Sequence, residues 1–135
     1  MQNFEQIRSA IQGQHMITVR DPYMICVELS LDQGSRHQSI FLAEIEDDDG
    51  RKYLRVSTVI APMTGVDARR MLDFNWQRRV GYMAVGELES VPYLQLCENR
   101  PYDSLTASEV DRLILEIGGI GDNLERMLSP DADLL

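Results

Sequence analysis

The sequence predicts an α+β protein in which helices pack on one antiparallel sheet. Apolar and polar side chains alternate from Ile17 to Ala61 and again over Val80–Val85 and Tyr93–Glu98, the two-residue period of strands. Helical spacing interrupts that alternation at Ala68–Arg79, and a strongly capped helical stretch closes the chain at Thr106–Leu128. The order reads α-β-β-β-α-β-β-α. Residues 1–130 are expected to form a single domain and 131–135 a frayed tail.

The first element is a short helix. Asn3 is placed to cap it, Gln6 to return the bond, and Gly13 to stop it, with Phe4, Ile7 and Ile11 on one face. The alternating region follows. Ile17 and Val19 alternate with Thr18 and Arg20 before Pro22 interrupts, and Ile25, Val27, Leu29 and Leu31 make a cleaner stripe that ends at the turn-like Asp32-Gln33-Gly34-Ser35. Ile40–Glu46 and Tyr53–Ile60 flank Asp47-Asp48-Asp49-Gly50, the composition of a hairpin turn. Three strands in a meander are the economical reading.

Pro62, Thr64 and Gly65 end this region, and Asp67 begins a helix. At about 100° per residue, Ala68, Met71, Leu72, Asn75 and Trp76 share the side assigned to the core, with Arg69, Arg70, Asp73 and Gln77 opposite. Phe74 falls on the polar side. Asn75, on the apolar side, is expected to cap the helix end or to satisfy a buried backbone group. In the last helix Thr106 and Glu109 form a capping box, and Leu105 and Val110 take the positions of a hydrophobic staple. Val110, Leu113, Ile114, Ile117, Ile120, Leu124 and Leu128 line one face, and Leu115 stands opposite. Gly118, Gly119 and Gly121 each weaken a helix by about 1 kcal/mol relative to alanine, which calls for a bend or a very close backbone approach.

Charge narrows the partners. The net charge is −9, which disfavours nonspecific binding to nucleic acid or to an anionic membrane. The charge is uneven: residues 51–100 carry 8 basic and 5 acidic side chains, against 3 and 9 before them and 2 and 8 after. The arginines of this middle third should complement acidic groups within the fold or across a dimer, the alternative being a site for an acidic ligand. The chain has no charged-then-apolar leader and no apolar run of about 18 residues, so a cytoplasmic location is expected. Cys26 and Cys97 lie far apart in strand segments and read as buried, reduced thiols.

No catalytic constellation stands out. Asp47-Asp48-Asp49-Gly50 fails the calcium-loop register, since Gly50 at its sixth position would put Ile45 first and Val56 twelfth. Gly118-Gly119-Ile120-Gly121 lies inside a helix, where backbone N–H groups cannot cradle phosphate. His15 and His37 belong to no metal-binding pattern and read as surface or loop histidines. Neither cofactor nor metal is expected, and a nucleophile with its base and oxyanion site is not visible.

The runs Met71-Leu72-Asp73-Phe74-Asn75, Gly81-Tyr82-Met83-Ala84-Val85-Gly86, Pro92-Tyr93-Leu94-Gln95-Leu96, Leu105-Thr106 and Gly121-Asp122-Asn123-Leu124-Glu125-Arg126-Met127-Leu128 resemble the YbjN family and, more distantly, the Tir-chaperone family. Both resemblances point to the type III secretion chaperone-like fold. They imply a homodimer or dimer-like module that binds other polypeptides without chemistry, holding an extended segment by strand pairing and apolar patches. The candidate interface residues are Phe74, Arg70, Arg78 and Leu115. A small regulatory module sensing a ligand or ion, or an enzyme whose site assembles only in three dimensions, are the alternatives.

Overall fold

A computed structural model describes residues 1–128, without the side chains of Val19 and Arg20. Residues 129–130 and the expected tail at 131–135 lie outside the described residues. The elements are α1 (Phe4–Ile11), β1 (Met16–Asp21), β2 (Met24–Leu31), β3 (Arg36–Glu46), β4 (Lys52–Pro62), α2 (Ala68–Gln77), β5 (Tyr82–Leu88), β6 (Val91–Pro101) and α3 (Ala107–Met127).

Six strands form one antiparallel sheet in the order β1-β2-β3-β4-β6-β5. The α+β class with helices packed on an antiparallel sheet is therefore the observed one, with four strands before α2 where the alternation counted three. Pro22 explains the difference. Asp21 pairs directly with Met24, so Pro22-Tyr23 is a two-residue reversal between separate strands and not an interruption within one.

One face of the sheet builds the core. Ile25, Val27, Ile40, Leu42, Leu54, Val56, Leu94 and Leu96 are buried on it, and register keeps them together: Ile25 faces Leu42, Leu42 faces Val56, and Met83 faces Leu96. α3 lies across β4, β3, β6 and β2, with α1 packed against α3. The expected close approach occurs at two of the three glycines. A Cβ on Gly118 would stand 2.3 Å from Leu29 Cδ2, and one on Gly121 2.5 Å from Thr58 Cγ2, whereas Gly119 faces open space.

The helix starts follow the sequence. Thr106 Oγ1 accepts the Glu109 N–H at 3.2 Å, and both staple residues, Leu105 and Val110, are buried. Asn3 Oδ1 accepts the Gln6 N–H at 2.9 Å, while the Gln6 side chain receives the Gln2 N–H at 2.7 Å, one residue earlier than a capping box requires. His15 departs from its expected surface position. Its side chain is 9% exposed and its Nε2 lies 2.6 Å from Asp111 Oδ1, tying the α1–β1 connection to α3. Among the described residues no helix is long and apolar enough to cross a membrane.

Candidate polypeptide-binding surface

α2 and β5 form the end of the sheet where the chain leaves most apolar and cationic surface uncovered. Asp67 starts α2, its Oδ1 accepting the Arg69 N–H at 3.0 Å. The helix then lies along β5, but the stripe it turns inward is not the expected one. Met71 and Phe74 pack against the core as partly buried residues, and Asn75 reaches β5 beside them. Leu72 is 68% exposed and Trp76 89% exposed, which corrects their assignment to the core. Positions 71, 74, 75 and 78 form one i, i+3, i+4, i+7 stripe and 72 and 76 another; the first is anchored because Asn75 can serve β5 and its larger neighbours cannot.

That anchoring is specific. Asn75 Oδ1 accepts the Met83 N–H at 2.6 Å, and its Nδ2 donates to the Met83 carbonyl at 3.2 Å. The side-chain amide thus occupies both backbone groups that Met83 sends away from β6, as a neighbouring strand would. Met83 follows Gly81, whose N–H donates to Glu98 Oε2 at 2.9 Å. The buried backbone group expected to need Asn75 is therefore on the outermost strand.

The candidate residues are dispersed by this arrangement. Phe74 is half-buried and does not project outward; the Arg78 guanidinium lies 5.4 Å from its ring centroid, so these two are brought together as a cation–π pair. Arg70 is exposed on the same helix. Leu115 is 49% exposed on α3, next to the Arg112–Glu116 pair at 2.7 Å, and belongs to a different element. Among the described residues the ion pairs use Arg8, His15, Arg36, Arg51, Lys52, Arg100, Arg112 and Arg126. None uses Arg69, Arg70, Arg78 or Arg79, so the middle third is neutralised within the described fold at Arg51, Lys52 and Arg100 but not around α2.

β5 contributes the rest. Val85 is 59% exposed, and Leu88 and Val91 at the following turn are also exposed. That turn is built on Glu89 and Ser90, with φ of 51° and 67°, the mirror-image geometry that continues strand twist. Leu72, Trp76, Val85 and the β5 edge are the functional candidates that periodicity missed. The overlooked signal was a second apolar stripe on a helix that buries no residue fully.

Chemistry elsewhere is already engaged. Asp47 Oδ1 accepts the N–H groups of Asp49 and Arg51, each at 2.9 Å, and Oδ2 accepts the Tyr53 hydroxyl at 2.9 Å. Those bonds, the Arg51 N–H foremost, hold its carboxyl below the usual aspartate range, so this residue serves its turn. Among the described residues no group of three potential ligands gathers as a metal would require. Cys97 and Cys26 are both buried, separated by β3 and β4, roughly 14 Å at ordinary strand spacing. Burial pushes the Cys97 thiol up, keeping it protonated and a poor nucleophile.

No protein-family model matches the chain, and no curated protein matches it in sequence. Its fold does have solved counterparts. A chain in the structure of the HopA1-SchA chaperone-effector complex superposes with a TM-score of 0.61 at 12% identity, covering 90% of this chain and 92% of that one. A chain in the crystal structure of the ExsC-ExsE complex gives a TM-score of 0.58 at 16% identity, covering 79% and 78%. The YbjN resemblance rests on the sequence runs alone, whereas the fold of this chain is that of a secretion chaperone-like α+β protein.

Proposed function

We propose that this chain is a non-enzymatic polypeptide-binding protein of the chaperone type that works as a homodimer, in the cytoplasm, with residues 1–130 as one binding unit. The carrying observation is the exposed pair Leu72 and Trp76 on α2, where Arg69 and Arg70 in the helix and Arg78 and Arg79 just after it have no ionic partner among the described residues. An isolated exposed leucine means little, but an apolar stripe flanked by unpaired guanidinium groups suits a protein partner. The solved counterparts of the fold support this reading, since one of them is a chaperone-effector complex. Extended polypeptide suits such a fold because backbone hydrogen bonds give affinity tolerant of sequence, and apolar contacts give selection. An acidic molecule also disfavours nucleic acid and anionic lipid as partners.

The test is reconstitution. Peptides selected against the full chain from a random display library, and any protein that co-purifies with it from its own cell, should be made separately and titrated calorimetrically. Saturable binding at a fixed ratio of peptide to dimer is expected. Selection that yields no binder, together with a strict monomer and no co-purifying protein, would remove the proposal. Should the purified chain turn over a small molecule with no polypeptide bound, the enzyme reading would take its place.

A further inference from the structure

Basic side chains are the scarcer charge in this protein, and one group of them goes unused. The sequence holds 22 acidic side chains against 13 basic ones, so acids are in surplus. Elsewhere in the fold the arginines take them up, as in Arg36–Asp122 at 2.6 Å, Arg112–Glu116 at 2.7 Å and Arg8–Glu5 at 2.8 Å. Arg69, Arg70, Arg78 and Arg79 enter no ion pair among the described residues. Asp73 on the same helix and Glu87 on β5 are exposed yet pair with none of them, and Asp67 is engaged as the cap of α2.

The four arginines bracket the apolar stripe. Arg69 and Arg70 stand in the first turn of α2, Leu72 and Trp76 follow, and Arg78 and Arg79 come directly after Gln77, the last helical residue. All of these side chains are exposed. The Phe74 ring, 5.4 Å from the Arg78 guanidinium, steadies one of them. From Arg69 to Arg78 the rise along the helix is roughly 13 Å. An extended chain covers that length in about four residues.

We infer that the polypeptide received at α2 is an acidic segment, with two carboxylate side chains about four positions apart and apolar residues between them. This rests on the polypeptide binding proposed above and gives the bound segment a charge pattern. One carboxylate meets Arg69 and Arg70, the other meets Arg78 and Arg79, and the apolar side chains between them cover Leu72 and Trp76. Guanidinium groups suit this because their planar fork matches a carboxylate. The net charge of −9 does not decide the outcome, since charges are screened beyond about 8 Å at physiological salt. Residues 67–79 carry four arginines and two aspartates. A basic segment would be drawn to the acidic remainder of the surface and would not select α2.

Calorimetric titration of the full chain with three short synthetic peptides tests this. The first carries two aspartates four positions apart with leucine and phenylalanine between them; the others replace both aspartates by asparagine or by lysine. The aspartate peptide should bind about 10-fold more tightly than the asparagine one, and the lysine peptide most weakly. Arg70→Glu and Arg79→Glu should each weaken the aspartate peptide about 5-fold and strengthen the lysine peptide, an exchange of preference that loss of structure would not produce. Raising ionic strength from about 0.05 to 0.5 M should weaken the aspartate peptide about 10-fold in the unaltered protein, a reading that needs no variant. Equal affinity for the three peptides, or an oligonucleotide bound as tightly as the aspartate peptide, would overturn the inference. So would a blue shift of Trp76 emission with protein concentration alone and no further change on adding the aspartate peptide, which would give the surface to a second copy. The two proposals fail separately. Library peptides that bind without acidic residues, and indifferently to Arg70→Glu and Arg79→Glu, leave polypeptide binding standing and remove the charge pattern; no binding by any peptide removes both.

Discussion

At Gly118 an added methyl group would arrive 2.3 Å from Leu29 Cδ2, while at Gly119 it would meet nothing within 4 Å. Gly119→Ala should therefore stabilise the protein by about 0.5–1 kcal/mol through helix propensity, and Gly118→Ala should destabilise it by about 1–3 kcal/mol through overpacking. Gly121→Ala should give the larger loss of the two close sites. Its obstacle, Thr58, is β-branched and pinned by Gln38 Nε2 and the Ser39 carbonyl, each at 2.8 Å, whereas Leu29 can rotate. Urea titration of the three variants reads the order, and equal losses at 118 and 119 would count against a close approach.

Asp47 offers a pH-dependent test at the same scale. Its folded pKa is lowered from the ordinary 3.8, chiefly by the Arg51 N–H and then by the Tyr53 hydroxyl. A depressed carboxyl contributes stability that is fully present above the unfolded value and is lost as pH falls through the folded one. Wild type should thus melt higher than Asp47→Asn at neutral pH, and the two curves should converge below 3.8; a constant gap down to the acid limit would refute the assignment. Residues of this kind were legible in sequence because turn and cap chemistry is local. His15 was not, because its partner Asp111 is 96 positions away.

Among the elements, α3 was the most legible and α2 the least. α3 carries a cap, a staple and one apolar stripe, all pointing to the same face. α2 carries two stripes, and periodicity cannot rank them. Size favoured Leu72 and Trp76 for the interior, but the outward backbone groups of Met83 require a short amide at the contact, and placing Asn75 there turns Met71 and Phe74 inward with it. The β5–β6 turn was similarly indistinct, since Glu89 and Ser90 lack the Asn-Gly signature of a mirror-image turn. Two non-glycine residues at positive φ store strain. Ser90→Gly should therefore raise stability by about 1 kcal/mol in thermal melts, and no gain would mean the turn is relaxed as it stands.

For the whole molecule, the sequence conveyed the sheet with its helices because alternation and helical spacing are properties of the chain alone. It could not convey which apolar side chains a finished fold leaves uncovered, and the candidate surface consists of those. Trp76 is the only tryptophan, so its fluorescence reports on that surface directly. Emission should be solvent-like and readily quenched by acrylamide in the free protein, and should shift to the blue when a selected peptide binds. Raising ionic strength from about 0.05 to 0.5 M should reverse that shift in part, because exposed charge pairs are screened within a few ångströms. A spectrum insensitive to both peptide and salt would place Trp76 away from the binding surface.

Strand order sets one more property. β5 is made before β6 yet touches the sheet only through it, because β6 lies between β4 and β5. During synthesis the meander β1–β4 can assemble as each strand emerges, but α2 and β5 have nowhere to dock until residues 91–101 have left the ribosome. For that interval the nascent chain carries an unpaired strand and the Leu72–Trp76 stripe together, and the insertion of β6 ends it by joining both halves in one step.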